Sequence, residues 1–401
     1  PLERPACPGF HLAAFALVFP PVADPEVPTV RLAILGTRGI PARYGGFETF
    51  AQELAVRLVA RGHQVTVYTR SYLVPEKLES FRGVRLVLLP CLRQKHLETL
   101  SHTLLSVLHL RKGSCDAVLV CNAANAPLLP LLSAKGFPVA LNVDGLERKR
   151  RKWGWLGRRY YLLCEALAAR WADALVTDAR AVQRYYRRVW GRDSVMIPYG
   201  GDLELPDTQE ALRRFGLSPG GYLLYVSRFE PENNPDRVIE AYREVPGSLP
   251  LVMVGGAPYA KALAQRVRAL ASQDPRVVLT GPLYGQAYRE LLAHALAYIH
   301  ATEVGGTHPA LVEAMGAGKV VFYLANRENR EVAGEAGVPF TFHAPPTLAA
   351  RLAAFCADPG AWQHYGKRAA ARVQALYRWD QVAEAYEKLL EGLCCGKAPS
   401  S

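Results

Sequence analysis

Apolar residues fall along this chain in short runs separated by longer amphipathic stretches. Arg31 to Gly36 (Arg-Leu-Ala-Ile-Leu-Gly) has the density of a buried strand. A loop follows to Gly46, then a helical pattern over 47–60 closed by Arg61-Gly62, then a strand over 63–69. That strand–loop–helix–strand order opens a parallel sheet. Strand-like runs recur at 84–89, 116–121, 138–143, 173–177 and 194–197, with helix-like runs at about 96–111, 126–135, 159–172 and 178–190. The turn cluster Ile197 to Asp202 reads as a hinge. A second series places strands near 223–227, 250–254, 276–280, 297–300, 319–323 and 339–342, helices between them, and a final amphipathic run from Gln381 to Leu393. The pattern implies an α/β chain of two Rossmann-like, doubly wound domains that face each other across a cleft. The expected division is an N-terminal extension over 1–30, a first domain over 31–195, a second over 196–376, and a C-terminal helix and tail over 377–401 that return to the first domain.

Length agrees with two domains of ordinary size, 401 residues in all. The eight cysteines form no C-x-x-C pair and no framework spacing, which points to reduced thiols and a cytoplasmic protein. A formal net charge of +12 favours anionic partners: nucleic acid, an acidic membrane surface or phosphorylated substrates. Arginine outnumbers lysine 37 to 11, and guanidinium suits bidentate phosphate contacts, although codon bias would give the same ratio. The apolar run Phe10 to Phe19 is too short to span a bilayer, and the prolines after it break any regular element. The first thirty residues therefore read as an appendage.

The candidate chemistry sits in loops. The first strand does not lead into G-x-G-x-x-G, so a dinucleotide-dependent enzyme is disfavoured. Instead Gly39 and then Gly45-Gly46 precede a helix, a place where backbone can approach a phosphate or an acceptor closely, with Glu48 in the first turn either contacting a sugar hydroxyl or favouring the helix dipole. The stretch from His300 to Gly318 reads as strand, glycine loop (Gly305-Gly306), N-cap Thr307 and a helix with Pro309 in its first turn. A helix N-terminus of this kind is a ready diphosphate site, and Glu313, about two turns on, can accept from ribose hydroxyls. The same residues would also serve as plain loop chemistry and a solvated glutamate. No D-x-D occurs, so no chelated metal ion is demanded.

Four separated motifs give a specific match. They are Ile34-Leu35-Gly36-Thr37-Arg38-Gly39-Ile40-Pro41 with Tyr44-Gly45-Gly46-Phe47-Glu48; Asn142-Val143-Asp144-Gly145-Leu146-Glu147; Ser227-Arg228-Phe229-Glu230-Pro231-Glu232-Asn233-Asn234; and Gly305-Gly306-Thr307-His308-Pro309-Ala310-Leu311-Val312-Glu313-Ala314-Met315. From Arg31 to about Leu393 the chain resembles the family-4 glycosyltransferases of the GT-B fold, in particular the bacterial rhamnosyltransferase-like group. The resemblance implies a hexosyltransferase that moves a sugar, rhamnose being one candidate, from a nucleoside-diphosphate donor to a hydroxyl of a glycan or lipid-linked acceptor in surface polysaccharide synthesis. It implies retention and no cofactor beyond the nucleotide sugar itself. Arg228, Asn233, Gly305, Gly306, Thr307, Leu311 and Glu313 would form the donor site. Asn233 stands where relatives carry a lysine, leaving Lys319 or Arg38 to supply charge. Glu303 lies two residues from the place of the first family glutamate, which is Gly305 here. Asp144, Asn122 and Glu48 would be the catalytic set, with Asp144 positioning or deprotonating the acceptor hydroxyl.

Glu147 to Arg159 holds seven basic residues of thirteen and two tryptophans. Basic charge with interfacial aromatics suits the anionic inner face of a plasma membrane, which a lipid-diphosphate acceptor would explain. Single-stranded nucleic acid fits the same composition less well, and a solvated loop is the plain alternative. Three other functions stay open: a sugar-nucleotide epimerase of the same fold, a basic nucleic-acid-binding protein and a non-catalytic glycan-binding scaffold.

Overall fold

Short β-branched and aliphatic runs pair into two separate sheets in the structure, a computed structural model that describes residues 29–42, 45–74, 77–94, 97–257 and 260–396. Residues 1–28 of the appendage, with its apolar run Phe10 to Phe19, and Tyr44 of the first loop lie outside the described residues. In the first sheet β1 (Arg31–Leu35), β2 (Gln64–Arg70), β3 (Ser80–Phe81), β4 (Val84–Leu89), β5 (Ala117–Cys121), β6 (Val139–Asn142), β7 (Ala174–Thr177) and β8 (Val195–Met196) run in the order β3-β4-β2-β1-β5-β6-β7-β8. All pairs are parallel except the β3–β4 hairpin. The second sheet, entirely parallel, orders β9 (Leu223–Val226), β10 (Leu251–Val254), β11 (Val277–Gly281), β12 (Ala297–His300), β13 (Val320–Leu324) and β14 (Val338–Phe340) as β11-β10-β9-β12-β13-β14. Both orders reverse direction once, at β1/β5 and at β9/β12. In open parallel sheets such reversals leave a crevice beyond the carboxyl ends of the strands.

The central strands are buried on both faces, as β5 (Ala-Val-Leu-Val-Cys) and β12 show along their whole length. Helices cover each face and leave four apolar clusters, two per sheet. One cluster joins the beginning and the end of the chain. The Trp379–Cys394 helix lays Trp379, Val382, Tyr386 and Leu390 against Phe50, Leu54 and Leu58 of the Gly46–Ala60 helix. Asn142 at the end of β6 donates to the Tyr386 hydroxyl at 2.8 Å.

Two helical elements near the cleft depart from the sequence pattern. The helix expected from 159 begins at Trp155, because its first turn points Trp155 and Leu156 outward and the inward stripe starts only at Tyr161. The run expected at 126–135 divides into a 3-10 turn, Ala123–Leu128, and a short helix, Leu129–Ala134. Asn122 caps that turn by accepting from the Ala124 amide at 2.9 Å.

Candidate active site in the interdomain cleft

The carboxyl ends of the two sheets meet across a cavity of about 870 Å³. Gly36, Asn122 and Asp144 follow β1, β5 and β6; Arg228 follows β9; Gly305, Thr307 and His308 follow β12; all line it. The two sides touch. A Cβ on Gly46 would come within 2.9 Å of the Pro309 ring, and one on Gly145 within 2.7 Å of the Gly305 backbone. Arg150 in the first domain pairs with Glu232 in the second at 3.4 Å, and Arg151 with Glu303 at 2.8 Å.

Charge in the cavity is nearly all accounted for. Arg70 pairs with Glu98 at 2.9 Å and Arg38 with the same carboxylate at 3.5 Å. Arg150 is held by Glu147 and Glu232, and Lys152 reaches Glu147 at 3.7 Å. Burial pushes the Glu147 carboxyl up, but Arg150, Lys152 and Arg228 outweigh it and hold it down at about 2. Arg228 is exposed, and its guanidinium has no hydrogen bond or ion pair among the described residues. It is the cavity cation left over for an anionic ligand.

Asp144 and Asn122 follow adjacent strands with positive φ, +59° and +75°. Such angles disfavour most side chains, and Asp and Asn tolerate them best. Asp144 is half-buried. Burial raises its carboxyl above the ordinary value, Glu147 adds to this, and Arg150 and Arg228 draw it back. Asn122 spends its side-chain oxygen on the turn cap, which leaves its amide nitrogen toward the cavity edge without a partner among the described residues. Glu48 lines the cavity, and its Oε1 accepts the Arg38 amide at 2.9 Å, so it shapes the first loop as well as facing the cleft.

Several residues singled out in the sequence stand elsewhere. Gly39 has φ +99° and no room for a Cβ beside Thr69; it is absent from the cavity wall and serves local packing. Asn233 turns away from the cavity: its amide donates to the Arg228 carbonyl at 2.6 Å and its own carbonyl accepts from Tyr225. It replaces a second cation with a clasp under the Arg228 loop. Lys319 is spent on the Ala293 carbonyl. Leu311 is fully buried in the second domain's core. Thr307 is not the N-cap; that position is His308, and the Thr307 hydroxyl donates to the Asp178 carbonyl. Glu303 is held by Arg151 and by Asn234 at 3.1 Å. Gly45 and Gly46 do face the cavity.

Glu313 is buried in the Pro309–Gly316 helix and accepts from the Tyr288 hydroxyl at 2.5 Å. Burial raises its carboxyl from 4.5 to about 6, against the pull of Tyr288 and Arg289. A carboxyl raised by folding binds its proton more tightly in the native state. Its stabilising contribution is therefore complete below the unfolded value and is lost as pH climbs through about 6. Stability should decline by about 2 kcal/mol from this group between pH 4.5 and 6. Glu313→Gln, which keeps an acceptor for Tyr288, should flatten that slope in urea titrations across this range; an unchanged slope would assign it to other groups.

The basic stretch from Glu147 divides rather than acting as a unit. Arg150 and Lys152 turn into the cleft, and Trp153 packs on Tyr161 and donates to Glu147 at 3.3 Å. Arg148 pairs with Glu165 at 3.1 Å. Lys149, Trp155, Arg158 and Arg159 line a shallow outward cavity instead. Composition showed the charge but not its direction, because the 3-10 turn at Glu147–Lys149 points successive side chains about a third of a turn apart. Arg150, which lines the cavity, and Asp178, which holds Thr307 beside it, were given no role by the sequence pattern, and Glu147 and His308 entered only as members of quoted motifs. Only the position of Asp178 directly after a buried strand was a signal for it.

Two nucleotide-type domains joined through a return helix, with ligand-facing loops at both strand-order reversals, define the GT-B architecture. Residues 44–205 match the family model described as Glycosyltransferase Family 4, and residues 209–372 match that described as Glycosyl transferases group 1. Together these cover most of the chain, and the protein belongs to the glycosyltransferases of this two-domain type. No curated protein sequence matches it. Among solved structures it is similar to sucrose-phosphate synthase from Thermosynechococcus elongatus, with 20% identity, TM-score 0.75 and coverage of 92% of this chain and 100% of that one. It is similar to Anabaena HepE in complex with UDP (15% identity, TM-score 0.70, 91% and 100% covered) and to WaaG, a glycosyltransferase involved in lipopolysaccharide biosynthesis (17%, 0.66, 90% and 100%).

Proposed function

We propose that this enzyme transfers a hexosyl residue from a nucleoside-diphosphate sugar to a hydroxyl of a glycan or lipid-linked acceptor in surface polysaccharide synthesis. The observation that carries this reading is Arg228, the cleft cation whose guanidinium has no partner among the described residues, lining one cavity with Asp144, Gly305, Thr307, His308 and Pro309. The UDP held by HepE and the involvement of WaaG in lipopolysaccharide biosynthesis agree with it.

In the proposed reaction the anomeric C–O bond to the diphosphate breaks and a new C–O bond forms to the acceptor oxygen. The acceptor proton passes to Asp144 or to a departing diphosphate oxygen. Arg228 grips two phosphate oxygens through its planar fork, and the N-terminus of the Pro309–Gly316 helix adds a fixed dipole. These donors meet the leaving-group charge without a resident metal ion. Retention at the anomeric carbon follows the family resemblance, and rhamnose remains one candidate sugar. Glu313 reaches the ribose in this reading only if Tyr288 shares it.

The acceptor side faces the first domain. Trp155 is 72% exposed and Leu156 66%, beside Lys149, Arg158 and Arg159. Leu104, Leu105 and Leu108 are also exposed on the Glu98–His109 helix, which packs on the same 3-10 turn as the Trp155–Trp171 helix. Apolar tips ringed by cations suit the inner, anionic face of a membrane. Among the described residues no helix is long and apolar enough to cross one. The test is product release from a panel of nucleotide sugars, with acceptor lipid in anionic and in neutral vesicles. Nucleoside diphosphate and glycosylated lipid should accumulate together, faster on anionic vesicles. Conversion of the donor without any acceptor would favour the epimerase alternative.

A further inference from the structure

The Gly306–Thr307 segment of the second domain is held by one carboxylate of the first. Asp178, directly after β7, accepts the Thr307 amide through Oδ2 at 2.9 Å, and its own carbonyl accepts the Thr307 hydroxyl. A Cβ on Gly306 would lie 1.9 Å from Asp178 Oδ1, so only glycine lets the two domains approach here. Asp178 is fully buried, and Oδ1 has no hydrogen-bond partner among the described residues. The amide expected from the sequence to face a phosphate is thus taken by the opposite domain.

We propose that Asp178 is a positioning residue of the transfer site: from the first domain it seats the Gly306–Thr307 segment against the end of the sheet that carries Asp144, so the donor loop is in register only when the domains are closed. The inference deepens, and rests on, the glycosyltransfer reading above.

The electrostatics fit a clasp of this kind. Burial, then Asp144 and Glu331, raise the Asp178 carboxyl well above the usual range. Tyr199 and Tyr386 are the other titratable groups near it, and burial keeps both phenols neutral. Burial and the neighbouring carboxylates therefore disfavour the charged form of the clasp, against the pull of the Thr307 amide. Neighbouring contacts show that closure is not left to Asp178 alone: Glu331 accepts the Arg180 and Ala181 amides at 2.6 and 3.2 Å. Losing Asp178 should therefore loosen the loop without separating the domains.

The experiment compares Asp178→Ala with Asp178→Asn, which retains a carbonyl oxygen for the Thr307 amide. Without ligand, hydrogen exchange over the Thr307 peptide should speed by about tenfold or more in Asp178→Ala and little in Asp178→Asn. With donor and acceptor, Asp178→Ala should raise the donor KM by about tenfold while the acceptor KM stays within about twofold; Asp178→Asn should stay near wild type in both. Unchanged exchange at Thr307 in Asp178→Ala would overturn the clasp even if the protein transferred no sugar. Faster exchange with an unchanged donor KM would leave the contact merely structural and overturn the positioning role. Wild-type protein that binds no nucleotide sugar would instead defeat the functional reading. If Asp178→Ala does not fold, equal loss of donor affinity in Asp178→Asn and in Gly306→Ala, with the Thr307 peptide still protected in Asp178→Asn, would contradict the proposal.

Discussion

Arg228→Ala is expected to weaken nucleotide-sugar binding by about 30- to 100-fold while the unfolding midpoint hardly moves. Hydrogen bonds to a charged group are worth about 1.5–3 kcal/mol net, and a guanidinium on a diphosphate can make two at once. The stability side follows from the native environment. Arg228 is exposed, and the hydrogen bonds it makes among the described residues go to its backbone carbonyl, from the Asn233 amide, the Ser227 hydroxyl and the Glu230 backbone N–H. Removing the side chain breaks no hydrogen bond or ion pair among the described residues. Arg228→Lys should recover part of the affinity, since the charge returns without the fork. Calorimetry with the nucleoside diphosphate reads all three; equal affinities would remove the leaving-group clamp from the account.

Asp144→Asn should lower transfer by about 10²- to 10³-fold, the usual weight of one proton-transfer group, with donor affinity nearly unchanged. Asparagine also tolerates the φ of +59° at this position, so the backbone bend survives and only the ionisable oxygen is lost. Because burial raises the Asp144 carboxyl, the wild-type rate should fall on the acid side at a higher pH than an ordinary carboxylate would give. That acid limb should vanish in Asp144→Asn. Equal turnover by single-turnover kinetics would limit Asp144 to turn formation.

The fold was readable because its strands are short, central and buried on both faces. Runs such as Val118 to Cys121 and Leu223 to Val226 are apolar throughout and too short for a helix. What the pattern missed were elements with no inward stripe. The first turn of the Trp155–Trp171 helix is one, and the two-residue strand Ser80–Phe81 is another. Loop residues after strands were found by place: Asp144, Asn122 and Arg228 all line the cavity. Their partners were not. Whether Asn233 faces a phosphate or the Arg228 carbonyl is decided by a 2.6 Å contact within its own loop, which spacing does not encode. Asp178 and Thr307 are 129 positions apart, and their contact exists only because two domains close. Likewise, Arg150 and Lys149 are neighbours in one basic run, yet one is buried against Glu232 and the other is exposed.

The central claim is that one nucleotide-sugar molecule lies between the domains and is gripped from both. Hydrogen exchange of the full chain, with and without the nucleotide sugar that gives the largest thermal shift, tests it directly. Slowed exchange is expected together in the loops around Gly45–Glu48, Asp144–Glu147, Arg228–Glu230 and Gly305–Pro309. Protection confined to one domain, or at a surface away from Arg228, would contradict it.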